Sequence, residues 1–171
     1  NVYEQTRDGN SSDAELLFNT SLYPLGSGSA FLRFGDNEFP GSLPRQLQEI
    51  GYTSIAIHGD NKEFWNRDRT FSSFGFDKYI SEDDFGNQTK VGMGILDEYL
   101  FAESYREIEK LNTPYYFFII TVTSHMPFNA ADMVDDTVAP EDDLTEKYLK
   151  CIKYTDREFG RFYNQLKDSG T

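Results

Sequence analysis

The sequence predicts an α/β fold built on a mostly parallel sheet, and three observations carry that reading. Two uncharged runs rich in β-branched and aromatic residues, Thr53-Ser54-Ile55-Ala56-Ile57 and residues 115–123, have the length and composition of strands. Each follows a stretch with apolar residues at helical spacing, residues 43–50 and 97–111, which is the alternation that builds parallel sheets. Aromatic residues make up 16% of the 171-residue chain, with 15 Phe and 11 Tyr, enough to pack the core of one domain spanning residues 1–171.

Taken in order, residues 1–12 are polar. Gly9-Asn10-Ser11-Ser12-Asp13 reads as a helix start, with a Ser or Asp side chain capping the amides and Ala14-Glu15-Leu16-Leu17-Phe18 continuing the helix. Tyr23-Pro24, Gly26 and Gly28 end it. Residues 29–34 are short and apolar, a strand or an extended loop. Ser42-Leu43-Pro44 opens a second helix, with Pro44 in its first turn, Leu43, Leu47 and Ile50 on one face and Gly51 as the stop. After the strand at 53–57, the aromatic stretch 71–79 is broken by Gly75 and reads as a turn packed on the core, then a short strand at 78–80. Residues 81–94 are acidic, then glycine-rich, and read as a loop. The helix over 97–111 places Leu100, Phe101, Tyr105, Ile108 and Leu111 at helical spacing and ends at Asn112-Thr113-Pro114. Residues 115–123 form the clearest strand, expected to be central and buried on both faces. Residues 129–143 read as an exposed acidic loop. A long helix over 145–167 follows, with Tyr148, Ile152, Thr155, Phe159, Phe162 and Leu166 on one stripe and Ser169-Gly170 at its end. The alternation calls for another strand after that point, and the chain opens without Met, so a piece of a longer protein is expected.

The net charge is −13 and the pI about 4.5, which excludes the nucleic acid backbone as a partner. A local cationic pair such as Lys62 and Arg67 can still hold an anionic ligand. The single cysteine, Cys151, excludes an internal disulfide and sits in a helical pattern as a small core residue. The sequence has no apolar run of about 18 residues and no signal-peptide pattern.

In open α/β sheets ligands bind beyond the carboxyl ends of the strands. His58, Asp60, Trp65 and Arg67 follow the strand at 53–57, and His125 follows the strand at 115–123, so both histidines of the chain fall at one expected sheet edge. The plainer alternative is two partly buried histidines with backbone partners. An indole packs against a sugar or glycerol and a guanidinium forks a phosphate, while the alternative for Trp65 and Arg67 is a surface Trp covered by an Arg stem. Asp60 could orient an imidazole, accept a hydroxyl proton or cap a turn. Ser11 and Ser12 lie where helix amides favour an anion, so a serine oxygen there is either a phosphorylatable nucleophile or an ordinary cap. No His, Asp, Glu or Cys set with recognised metal-ligand spacing is present in the sequence.

Four segments together resemble the extracellular domain of the lipoteichoic acid synthase family, within the sulfatase and alkaline-phosphatase superfamily. They are Ser11-Ser12-Asp13-Ala14-Glu15, His58-Gly59-Asp60 with Phe64-Trp65-Asn66-Arg67-Asp68, Phe74-Gly75-Phe76-Asp77-Lys78, and Thr123-Ser124-His125-Met126-Pro127-Phe128. The resemblance implies a three-layer α/β/α fold and a metal-dependent phosphoglycerol transferase, with Mn²⁺ as the usual metal. It implies Ser11 as nucleophile and metal ligand, in place of the family's threonine, and His58, Asp60, Trp65, Arg67 and His125 as the glycerophosphate pocket, with His125 or His58 aiding the oxyanion or a proton transfer. The donor implied is the phosphatidylglycerol headgroup or another glycerophosphate, and the acceptor a polyglycerophosphate or a glycolipid. The family's remaining metal ligands find no counterpart in these residues. The chain is therefore expected to be an incomplete segment, lacking the first strand and the C-terminal part, that binds no metal at full strength and is inactive alone. Its parent is expected on the outer face of a bacterial plasma membrane, anchored by transmembrane helices outside this chain. Two alternatives are a sulfatase or phosphodiesterase that passes the group to water, and a metal-free module that binds teichoic or sugar-phosphate polymers.

Overall fold

The structure, a computed structural model, describes residues 5, 10–86, 88–135 and 143–170. The chain resolves into two compact units, Asn1–Ala56 with Lys62–Ile80 and Leu111–Phe118, and Ile57–Asn61 with Ser81–Lys110 and Ile119–Thr171. A mostly parallel sheet has the order β2-β1-β5, with β1 at Thr53–His58, β2 at Lys78–Ile80 and β5 at Tyr115–Ile120. Expected strand 53–57 thus gains His58, and the strand at 78–80 stands as read. The reading of 115–123 as a central strand buried on both faces needs correction. β5 ends at Ile120 and is half-buried along its length, because β1 lies between it and β2. Central β1 is buried at every position after Thr53.

In the first unit, α1 spans Ser11–Thr20, α2 Ala30–Phe34, α3 Leu43–Glu49 and α4 Arg67–Phe74. Two of these correct the sequence reading. Residues 29–34 hold a short helix, and residues 67–74 form a helix where a turn was expected at 71–79. Both answer to one aromatic core. Phe71 and Phe74 lie three apart on α4 and are fully buried with Phe31 of α2, and ring centroids of Phe31 lie 6.0 Å from Phe71 and 5.5 Å from Phe74. Phe71 also meets Tyr79 at 5.0 Å, Phe76 at 5.3 Å and Phe118 at 6.3 Å. Gly75 takes φ +88 and closes α4 with a left-handed cap. In α3, Pro44 is buried at the first turn, but Ile50 is exposed because it is already the C-cap, with φ −106. Asp77 ties β2 to β1 by accepting from Ser54 N at 2.8 Å and donating its own N–H to Ser54 O at 2.9 Å.

In the second unit, α5 spans Asp97–Ile108, α6 Ala131–Val134 and α7 Leu144–Ser169. The expected loop 81–94 instead contains a helical turn at Glu82–Asp84 and a hairpin of β3, Lys90–Val91, with β4, Gly94–Ile95. The turn is set by a Ser81–Asp84 capping box. Within the expected loop 129–143, α6 buries Ala131, while residues 136–142 lie outside the described residues. Helix α7 has the expected extent but a rotated face. Cys151, Tyr154, Glu158 and Phe162 are buried, whereas Tyr148, Ile152 and Phe159 of the expected stripe are 40%, 38% and 50% exposed. Glu158 enters the buried face because Arg161 Nη1 reaches both its carboxylate oxygens at 2.9 Å, and Phe162 stacks on Phe101 at 5.2 Å. Among the described residues no helix is long and apolar enough to cross a membrane.

Candidate functional site

The first unit brings Ser11 and Glu15 to Arg67, with Trp65 two residues ahead of Arg67 in the chain. Capping of α1 falls to Asn10, one residue earlier than expected. Its Oδ1 accepts from Asp13 N at 3.0 Å and from Ser12 Oγ at 2.6 Å, and its Nδ2 donates to Asp13 Oδ2 at 2.9 Å. Ser11 is therefore the first helical residue, and its hydroxyl is not taken up in capping. Arg67 Nη2 donates to Ser11 Oγ at 3.1 Å. The guanidinium also forks Glu15, Nε to Oε2 at 3.0 Å and Nη2 to Oε1 at 2.6 Å. Arg67 and Glu15 are only 1% and 5% exposed. Burial raises the Glu15 carboxyl above the usual range, while Arg67 and Ser11 pull it back.

Arg67 opens α4 behind two left-handed residues, Trp65 at φ 58 and Asn66 at φ 60. Such a pair of non-glycine residues costs roughly 1–3 kcal/mol each and persists only where its surroundings hold it. Asn66 Nδ2 donates to Phe31 O at 3.0 Å, Thr70 Oγ1 donates to Asn66 O at 2.9 Å, and Asn66 N donates to Glu63 O at 2.7 Å. Trp65 is half-buried, edge-on to Phe64 at 5.6 Å, so one part of the indole is left to solvent. Lys62 is exposed.

The second unit holds His58, Asp60 and His125. His58 is buried, and its Nδ1 lies 2.8 Å from Ile120 O. His125 is exposed, with Nδ1 2.7 Å from Met126 O. A carbonyl only accepts, so Nδ1 carries the proton in both rings. Asp60 is 6% exposed, and its Oδ1 accepts from Asn61 N at 2.6 Å in the turn after β1. The β3–β4 hairpin backs this turn: Ile95 N donates to Gly59 O at 2.8 Å, and a Cβ on Gly94 would run into the Gly59 carbonyl. Asp97 anchors the chain ahead of His125, accepting from Val122 N at 3.0 Å and Thr123 N at 3.2 Å.

Sequence reasoning assigned no role to Asn10, Glu15 or Asp97. A signal was present for Glu15, since four residues from Ser11 is one face of a helix. Among the described residues no three His, Cys, Asp or Glu side chains gather as a metal site, so the donor set they present does not fit a metal by itself.

A sulfatase family profile matches residues 6–171. Lipoteichoic acid synthase 1 of Bacillus subtilis (strain 168) is 38% identical over 175 residues, covering 99% of this chain and 27% of that protein. The chain thus spans about a quarter of the length of the curated relatives it matches. The crystal structure of the lipoteichoic acid synthase LtaP from Listeria monocytogenes matches with a TM-score of 0.90 at 31% identity, over 98% of this chain and 42% of that one. The Streptococcus pyogenes phosphoglycerol transferase GacH, in complex with sn-glycerol-1-phosphate, shares the fold at a TM-score of 0.70 and 21% identity, over 94% of this chain and 45% of that one. The fold superposes on that of LtaP and the family profile runs from residue 6 to residue 171, so the chain has an α/β architecture and belongs to the sulfatase family.

Proposed function

We propose that this chain is part of a phosphoglycerol transferase that moves glycerophosphate through a covalent phospho-serine. The observation that carries the reading is the placement of Ser11. Its hydroxyl stands at the first turn of α1, released from capping by Asn10 and 3.1 Å from the Nη2 of a buried Arg67. A nucleophilic oxygen, helix amides and a guanidinium at one point suit the attack on a phosphodiester. The likeness to lipoteichoic acid synthases supports phosphatidylglycerol as donor and a polyglycerophosphate or glycolipid as acceptor.

In this reading Ser11 Oγ attacks the phosphorus of the donor. The Oγ–phosphorus bond forms as the bond from phosphorus to the diacylglycerol oxygen breaks, and that oxygen takes up the proton released at Ser11. An acceptor hydroxyl then attacks the same phosphorus, gives up its proton and restores the Ser11 hydroxyl. Within the first unit Arg67 bears on the phosphate oxygens and Trp65 on the glycerol, and the family resemblance alone adds Asp60 for the glycerol and His125 or His58 to assist the oxyanion or a proton transfer. By the family resemblance a divalent metal, Mn²⁺, would be held in the full-length protein with Ser11 among its ligands. The active domain would face the outside of a bacterial membrane, with the anchoring helices elsewhere in the protein.

Ser11→Ala in the full-length protein tests this. Incubation with a phosphoglycerol donor carrying a labelled glycerol should label the wild type covalently and leave the variant unlabelled. Undiminished labelling of the variant removes Ser11 from the role. Release of the group to water alone, with no acceptor product, would favour a phosphodiesterase instead.

A further inference from the structure

We infer that Glu15 is a positioning residue that sets which edge of Arg67 meets the substrate phosphate, a role that rests on the reading of Ser11 as nucleophile. Glu15 lies one helical turn after Ser11, and both its oxygens are occupied by the Nε and Nη2 of Arg67. Stability alone is a weak account of such a pair. Desolvating two charges costs about as much as their attraction returns, and apolar residues often do as well in the same space. The geometry points elsewhere.

A guanidinium has two edges able to fork an oxyanion, Nε with Nη2 and Nη1 with Nη2. Glu15 takes the first. The edge left for a phosphate is Nη1 with Nη2, and Nη2 is the nitrogen already 3.1 Å from Ser11 Oγ. Nη1 donates to Phe64 O at 3.5 Å, a long bond that a phosphate oxygen would displace. The backbone of Arg67 is held from the other side by the left-handed Trp65–Asn66 pair and its bond to Phe31 O. Arg67 is thus clamped at both ends, and its Nη1–Nη2 edge lies beside the nucleophile. Without the Glu15 carboxylate the side chain could turn its Nε edge to the phosphate and draw it away from Ser11. Ground-state binding would survive, and the attack would be misaligned.

The test is steady-state transfer by the full-length protein with phosphatidylglycerol vesicles at saturating Mn²⁺, using wild type, E15Q, E15D, R67K and E15Q/R67K. Thermal midpoints of each variant are measured alongside, and rates are scaled to folded protein. E15Q keeps the shape and removes the charge. It should lower kcat on the order of 10- to 100-fold, the usual cost of losing an orienting partner, while KM moves by less than about threefold. E15D retains the charge but sits one methylene further back, and should recover part of the lost kcat. In the R67K background E15Q should cost less than about twofold, because the group it orients is already gone. A folded E15Q or E15D with wild-type kcat overturns the role, as does an E15Q loss that is the same with Lys at position 67. Should E15Q fail to fold, E15D carries the decision. A wild-type protein that turns over no phosphoglycerol donor overturns the functional reading and this role with it, whereas an active wild type with a fully active E15Q overturns only the role.

Discussion

Replacing Asp97 by Ala removes an acceptor on which three donors converge among the described residues of the second unit. Asp97 is fully buried. Its Oδ1 accepts from Val122 N at 3.0 Å and Thr123 N at 3.2 Å, and its Oδ2 accepts from Thr155 Oγ1 at 2.7 Å. Hydrogen bonds to a charged group contribute about 1.5–3 kcal/mol each, and water entering the gap left by the side chain recovers part of that. The loss should therefore be about 3–5 kcal/mol, a large part of the roughly 5–15 kcal/mol that holds a domain together. Asn at the same position can still accept from both amides and donate to Thr155, so D97N should cost about 1–2 kcal/mol. T155V removes one donor and should cost about 1 kcal/mol. Urea unfolding measures the order, and hydrogen exchange at the Val122 and Thr123 amides reports the site itself. D97A within about 1 kcal/mol of wild type, or with both amides as protected as before, would refute the reasoning.

Two further predictions concern packing and pH. A Cβ at position 35 would stand 2.5 Å from Asn66 Nδ2 and Phe31 O and 2.6 Å from Thr70 Oγ1, so G35A must break the bond that holds the Trp65–Asn66 turn. A loss of about 3 kcal/mol in denaturant unfolding is expected, with a shift in the emission of the single tryptophan; unchanged stability and emission would contradict the packing described here. Burial pushes the Cys151 thiol and the Tyr154 and Tyr116 phenols up. The folded protein then keeps protons that the unfolded chain releases first. Stability is fully present below the ordinary thiol value of about 8.5 and falls as pH rises beyond it. Urea midpoints taken from pH 7 to 11 should decline across that window and should decline less for C151A; a flat profile would show that burial does not act on these groups.

The strand read at 53–57, the strand at 78–80, the helix read over 97–111, which the structure ends at Ile108, and the stop at Gly170 are readable in the chain because each is a local event, a run of one periodicity or a residue with unusual backbone freedom. The grouping of chemistry-bearing residue types into short segments is readable for the same reason. Other elements depend on partners far away in sequence. Phe31, Phe71 and Phe74 make helices of two segments that look like loop or turn, because their rings must reach one core. The buried face of α7 is chosen by where Phe101 and Cys151's neighbours lie, and local hydrophobicity favours Ile152 and Phe159 instead.

What the sequence alone determines about this protein is the alternation of helix and strand, the acidic surface, and the set of residue types able to handle a phosphate. What only the tertiary structure decides is which of them touch. Asn10 takes the cap and leaves Ser11 its hydroxyl, and Glu15 finds Arg67 across 52 positions of chain. Short-range periodicity specifies which way a side chain leaves its own element. The residue it meets across the core is set by how those elements pack, and a buried charge must find its partner there, however distant in the chain.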